Sequence, residues 1–244
     1  MGDCVKLIRL LAVAALGMLV SACATNPQDP DAHDPLEPVN REVFRFNHSL
    51  DNRVALPLAT FYRSAAPAPF RTHLHYFLTN LQLPVTAAND ILQLHFERSG
   101  EAVGRFAVNS TLGFAGIFDV ATDWGMPHHR EDFGQTMGWY GIGEGLYIII
   151  PLGGPASARD IAGSVVDGYI NPLGHIQWKH KNYYWSWPLR LLSFVDSRST
   201  SVDALREIQR SSIDLYATTR SLYRQSRNAE IRNGEPDVQG LPDY

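Results

Sequence analysis

The sequence predicts a mainly α-helical single domain with a glycine-rich, hairpin-like segment and little or no β-structure. Three observations carry this. Apolar residues recur every three or four positions through most of the chain after residue 37, the period of a helix with one greasy face. Between Gly134 and Asp160 that recurrence stops, and seven glycines and two prolines bracket an apolar run from Leu146 to Leu152. The 244 residues are 45% hydrophobic and 11% aromatic, enough to build one core.

The N-terminal residues read as an export signal. Lys6 and Arg9 form a positive region, Leu10 to Val20 an apolar stretch too short to span a bilayer, and Val20-Ser21-Ala22-Cys23 a small-residue ending. That ending resembles the lipobox of bacterial lipoproteins, which implies cleavage before Cys23 and its lipidation. Ala24, rather than an aspartate, in the next position fits outer-membrane sorting by the same resemblance. Residues 1–22 are therefore expected to be the signal peptide and residues 23–34 a tether, with reach of at most roughly 35 Å. The chain has two cysteines, Cys4 and Cys23, so no disulfide framework is expected in the folded body. Net charge is −4 with dispersed cations, which argues against nucleic acid as a partner.

The domain is expected over residues 35–228. Asp34-Pro35-Leu36-Glu37-Pro38 supplies helix-start chemistry, with Asp34 or Glu37 as cap. Val39, Val43, Phe46, Leu50 and Val54 then share one face of a helix expected to end near Pro57. Leu74, Phe77, Leu78 and Leu81 mark a second pattern, restarted at Pro84 and continued by Val85, Ala88, Leu92 and Phe96. A third helix is expected to carry Val103, Phe106, Ala107, Ser110, Phe114, Ile117 and Ala121 on one face, with Leu112 and Phe118 widening the apolar arc. Gly104, Gly113 and Gly116 within it suit a bend or a close neighbour. Asp160 to Asp167 reads as a short helix. A last long helix is expected from Val202 through Leu222, with Arg206, Arg210, Arg220, Arg224 and Arg227 on its polar side, ended by Asn233-Gly234. Residues 229–244 read as an acidic, disordered tail.

The glycine segment does not fit phosphate cradling. Gly141 and Gly143 are followed by Leu146 where the dinucleotide fingerprint needs a third glycine, and no Lys-Ser/Thr pair follows. The nine histidines include no helical i, i+4 pair with a carboxylate, so no metal site is expected. Gly163-Ser164 lacks the second glycine of a nucleophile elbow. Asp119, Asp123, Glu131 and Asp132 could serve as acid and base, yet nothing in their spacing requires it. No enzyme activity, catalytic residue or cofactor is expected, and Arg159-Asp160 reads as a structural pair or cap. The segment instead reads as a hinge whose apolar arm lies against grease, and Gly138, Gly141, Gly143, Gly145, Tyr147, Ile148, Ile149 and Pro151 are candidates for lining or gating a path. Trp178, Tyr184, Trp185 and Trp187 interleave with Lys179 and Lys181, a composition suited to a membrane interface or to a satellite core under a loop.

These residues together resemble the VacJ/MlaA family of outer-membrane lipoproteins, over roughly Asp34 to Arg227. The resemblance runs through Asp34-Pro35-Leu36-Glu37, Asn40-Arg41, Phe44-Arg45-Phe46-Asn47 and Leu50-Asp51. It continues in Asn80-Leu81, Asn89, Arg105-Phe106, Asn109-Ser110-Thr111, Asp119 and Glu131-Asp132-Phe133-Gly134-Gln135-Thr136. Gly154-Pro155, Arg159-Asp160, Asp196, Arg198, Asp214, Tyr216, Arg220 and Tyr223 complete it. Leu146 and Ala156 depart from the family pattern, and Ile150 often reads as leucine there. The resemblance implies a ring-like helical body in the periplasmic leaflet of a Gram-negative outer membrane. It also implies removal of mislocalised phospholipid from the outer leaflet to a periplasmic lipid-binding carrier protein, and association with a trimeric porin. A passive porin-binding scaffold is the alternative, and a lipid-acting hydrolase a third possibility.

Overall fold

The computed structural model describes residues 34–171 and 186–234. The signal, the tether with Cys23, and Trp178, Tyr184 and Trp185 lie outside the described residues. Helix α1 spans Glu37–Leu50 and passes through a widened π-type turn, Asp51–Ala55, into α2, Leu56–Ala65. Then come α3 (Ala68–Asn80), α4 (Leu83–Leu92), α5 (Phe96–Thr111), α6 (Val120–Asp123) and α7 (Phe133–Trp139). Strands β1 (Tyr147–Ile150) and β2 (Gly154–Ser157) form one antiparallel hairpin, with Tyr147 opposite Ser157 and Ile150 opposite Gly154. Helices α8 (Ala158–Ile170), α9 (Ser186–Thr200), α10 (Val202–Ser211) and α11 (Leu215–Ile231) follow. The fold is mainly α, and its one small sheet among the described residues lies in the later part of the glycine-rich segment, whose opening residues belong to helix α7.

Several helix boundaries differ from the sequence reading. Phe96 opens α5 instead of extending α4, because Leu94 between them takes a left-handed φ of 65°. Pro57 does not end the first helix. The Leu56 N–H donates to Asp51 O, five residues back, and this wide turn accommodates an extra residue just before the proline. Pro57 then falls in the first turn of α2, where its missing N–H is harmless. The third helix stops at Thr111 instead of reaching Ala121. Phe114, Ala115 and Gly116 take left-handed φ of 53°, 60° and 89°, and a Cβ on Gly113 would lie 2.2 Å from Phe118 O. Gly113 and Gly116 thus fold the chain back on itself rather than bend a continuing helix. The last helix is two. Asp214 caps α11 by accepting from Ala217 N at 3.1 Å, and Arg41 holds its carboxylate from across the fold at 2.6 Å, so the chain breaks at Ser212 to Asp214. Helix α11 itself runs on through Ile231.

The hairpin register is set from outside the sheet. Asn40 and Asn47 lie two helical turns apart on α1, a rise of about 10.5 Å. Asn40 Nδ2 donates to Tyr147 O at 2.9 Å, and its Oδ1 accepts from Ile149 N at 2.9 Å. Asn47 does the same one step along, to Ile150 O and from Leu152 N, both at 2.9 Å. Three strand residues advance about 10 Å, so the two carboxamides match the strand repeat and stand in for a neighbouring strand's peptide groups. The exposed edge of β1 is thereby covered.

Polarity is distributed the wrong way round for a body surrounded by water. Arg105, Asn89, Asp90, Gln93, Glu131 and Gln135 are buried. Phe61, Phe70, Phe96, Phe114 and Tyr169 are each more than half exposed. A compact apolar cluster does exist, formed by Tyr147, Ile149 and Tyr216 with Val43, Phe44 and Tyr223 against it. Many of the remaining large apolar side chains are exposed, among them Leu94, Leu112, Trp124, Leu152 and Ile213. Soluble proteins show the reverse, and an outer surface of this composition suits an apolar surrounding. Among the described residues no helix is long and apolar enough to cross a membrane.

Candidate functional site

The helices border a half-open cavity of about 1140 Å³. That is above the usual range of small-molecule clefts, about 300–1,000 Å³. Its wall draws on α1, the π-type turn, α4, the loop before α7, β2, α8, α9, α10 and α11. Both polar and apolar groups face it: Asp51, Arg130, Asp132 and Arg227 on one hand, Phe44, Leu205, Ile208 and Leu222 on the other.

Buried ionic girders hold the wall in shape. Arg227, reaching from α11, donates to Asp132 at 2.9 Å from both terminal nitrogens and to Asp160 at 3.0 Å from Nε and 2.9 Å from Nη2. It also meets Glu230 at 2.7 Å. Burial alone would raise the Asp132 and Asp160 pKa values, but the charge and hydrogen bonds of Arg227 prevail and hold both below the usual carboxylate range. Their proximity depends on small residues. A Cβ on Gly163 would stand 2.4 Å from Gly134 N, so α7 and α8 cross almost backbone to backbone. Asp132 and Ser157 cap the two helices, accepting from Gln135 N and Asp160 N.

A second girder joins Arg198 of α9 to Asp51 of the π-type turn, with two parallel bonds of 2.7 Å. A third is a buried network around α4. Gln93 Nε2 donates to Glu131 at 2.9 Å and Arg98 Nη2 to its other oxygen at 2.9 Å, while Thr136 donates to Asn89 at 2.8 Å. Here burial wins, and the Glu131 pKa is raised despite Gln93 and Arg98. Asp167 is likewise raised by burial, although Asn89 Nδ2 and Phe133 N donate to it.

The candidate path residues of the glycine segment fall in several places. Tyr147 and Ile149 are buried in the apolar cluster, Ile148 is half-buried, and Pro151 sits exposed in the hairpin turn. Gly138 lies on α7 against the Ile231 side chain, Gly141 and Gly145 take left-handed φ of 81° and 69°, and Gly143 lies between them. The hairpin residues on the cavity wall come from the other strand, Gly154 to Ala156. Trp187 falls within α9, but its side chain is outside the described residues.

Three of the four carboxylates considered as acid and base, Asp119, Glu131 and Asp132, make structural contacts, while Asp123 is exposed. Asp119 receives two bonds from Arg105 Nη2 and one from Asn109, and caps α6. Glu131 and Asp132 belong to the girders above. His129 meets Asp90 at 2.8 Å and His75 meets Asp196 at 2.9 Å. Among the described residues no three His, Cys, Asp or Glu side chains group to hold a metal. Sequence periodicity assigned Arg220, Arg224 and Arg227 to a polar helix face, yet Arg224 is buried and the side chains of Arg220 and Arg227 are only 12% and 13% exposed. No local signal marks them, because their carboxylate partners lie far off in the chain.

A cavity of mixed polarity, in a helical body that exposes many large apolar side chains, suits a protein that handles amphipathic molecules. The chain belongs to the MlaA lipoprotein family, whose profile matches residues 32–230. It is 31% identical to the Intermembrane phospholipid transport system lipoprotein MlaA of Escherichia coli, covering 97% of this chain and 96% of that one. An uncharacterized protein of Rickettsia bellii is 34% identical over 83% of this chain and 78% of its own length. A solved structure concerned with the structural basis for maintenance of bacterial outer membrane lipid asymmetry superposes with a TM-score of 0.74. That likeness is at 28% identity and covers 82% of this chain and 99% of the other.

Proposed function

We propose that this chain is an outer-membrane lipoprotein, anchored at Cys23 on the periplasmic face, that removes mislocalised phospholipid from the outer leaflet. The lipid passes through the cavity to a periplasmic lipid-binding carrier, and the body associates with a trimeric porin. No bond is made or broken, so the protein acts as a conduit and not as an enzyme. One observation carries the reading: a wall of mixed polarity around about 1140 Å³, inside helices whose outward faces are apolar. A phospholipid needs both, polar groups for its head and apolar surface for its tails. Family membership and the name of the Escherichia coli relative support the same substrate.

The test is to obstruct the cavity without touching its girders. Ala156, a half-buried β2 residue on the wall, is replaced by Trp in a strain whose own copy is deleted. Outer-leaflet phospholipid is then measured by its accessibility to phospholipase added outside intact cells. Ala156→Trp is expected to raise that fraction to the level of the deletion while protein abundance stays normal. Normal asymmetry at normal abundance refutes the conduit reading.

A further inference from the structure

The charges on the cavity wall are almost all neutralised within the protein. Arg198 is engaged by Asp51, Arg227 by Asp132, Asp160 and Glu230, and Glu131 by Arg98. Two wall charges of opposite sign and close together lack a counter-ion within 4.0 Å among the described residues: Arg130 and Asp167. They are neighbours because Phe133 N, three residues beyond Arg130, donates to the Asp167 carboxylate at 3.0 Å. Burial and the nearby Asp132 charge push the Asp167 pKa up, and Arg130 opposes them without touching the carboxylate. Arg190, the other wall cation without a carboxylate among the described residues, is on α9.

Asp167 is held only by neutral donors. Oδ1 accepts from Asn89 Nδ2 at 2.9 Å and from Phe133 N at 3.1 Å, while Oδ2 shares the Phe133 N–H alone. A carboxylate offers about four acceptor directions, so Oδ2 has room for another donor. Arg130 is exposed to the cavity, and its planar guanidinium can take a phosphate through two parallel bonds. The phosphate and ammonium of an ethanolamine headgroup are opposite charges joined by a two-carbon linker. Lying against this wall, such a group places each charge against its complement.

We propose that Arg130 and Asp167 form a headgroup subsite for a zwitterionic aminoalkyl phosphodiester, the guanidinium taking the phosphate and Asp167 Oδ2 the ammonium. The subsite rests on the conduit reading and adds selectivity to it. An anionic phosphoglycerol headgroup would engage Arg130 but gain nothing from Asp167, and diacylglycerol would engage neither.

The test uses the full chain, purified in detergent and incubated with vesicles holding equal parts of phosphatidylethanolamine, phosphatidylglycerol and diacylglycerol. The protein is recovered and its lipid quantified by mass spectrometry. Wild type should retain phosphatidylethanolamine over phosphatidylglycerol by about tenfold, the worth of one charge-assisted contact. Arg130→Gln should lower both phospholipids about tenfold and leave diacylglycerol unchanged, with Arg130→Lys intermediate. Asp167→Asn, which keeps an acceptor for Asn89 and Phe133 N, should bring the phospholipid ratio near unity. Should that variant fail to fold, the exposed Arg130 substitutions and the wild-type ratio still decide. Glycerophosphoethanolamine, the headgroup without chains, should not displace the lipid, and displacement at equal concentration would assign the subsite to a soluble ligand and overturn the proposal. Wild type that retains both phospholipids equally, or Arg130→Gln with wild-type retention, overturns the subsite and leaves the conduit standing. Wild type that retains no phospholipid overturns both.

Discussion

Replacing Arg227 with Met should be among the most destabilising changes the body can suffer at one surface-distant position. The guanidinium makes five hydrogen bonds, to Asp132, Asp160 and Glu230, with its side chain only 13% exposed. Methionine keeps much of the length and apolar stem but leaves Asp132 and Asp160 facing one another as anions. Breaking one side of a buried pair costs about 3–5 kcal/mol. Both carboxylates keep other donors, Asp132 from Gln135 N at 2.9 Å and Asp160 from the Tyr223 hydroxyl, which points to the lower end of that range. A loss of about 3 kcal/mol is a large part of a usual 5–15 kcal/mol, and for a body of this size it corresponds to a drop in Tm of about 6–12 °C. The assay is thermal unfolding by circular dichroism in mild detergent at pH 7. Arg206→Met is the control, since Arg206 and Asp203 are exposed and 4.0 Å apart and such a pair contributes about 0–1 kcal/mol. If Arg227→Met melts within 2 °C of wild type, the girder does not hold α7, α8 and α11 together and the reasoning fails.

Three further outcomes follow from the same geometry. Gly163→Ala gains about 1 kcal/mol of helix propensity, but its Cβ would stand 2.4 Å from Gly134 N, a backbone atom that cannot swing aside, so a net loss of about 1–3 kcal/mol is expected in chemical denaturation. Asn47→Leu removes the partner of Ile150 O and Leu152 N, and hydrogen exchange of the Leu152 amide should quicken at least tenfold while that of Ile149, held by Asn40, changes little. Asp132 and Asp160 have folded pKa values below 3.8, so the unfolded chain binds their protons first. Their contribution is complete above pH 3.8 and is lost as pH falls through the folded values. Wild type should therefore lose stability steeply on acidification below that point, and Arg227→Met should show a shallower acid dependence; parallel curves would contradict the assignment.

How far the site was legible in the chain differs by residue. Helices α1, α3, α4 and α5 follow from apolar spacing because each buries or presents one face, whatever its neighbours are; α2, beyond Pro57, was not legible that way. The later part of the glycine segment was readable as a hairpin from its glycines and prolines, but its opening residues are helical, within Phe133–Trp139, because Asp132 caps that turn despite Gly134 and Gly138. Pro57 misled because a proline that ends an isolated helix is tolerated where a π-type turn precedes it. Asp214 and Gly113 misled in the other direction: the period continues through both, and only Arg41 and the Phe118 carbonyl, brought there by folding, break it. Asn40 and Asn47 were visible as family residues, yet their seven-residue spacing gains meaning only beside a strand of matching repeat.

What the sequence determined by itself was the helical class, the hairpin, the expectation of an anchor and the family, since these depend on local period, composition and ordered motifs. The tertiary structure alone decided which charges lie inside. Arginines at 198 and 227 meet carboxylates at 51, 132 and 160, and a linear pattern ranks such arginines as solvated because their desolvation is offset only by partners distant in the chain. It decided likewise that many large apolar side chains face outward while a cavity of mixed polarity lies inside, for periodicity gives each helix a greasy side but not the direction in which the assembled body points it.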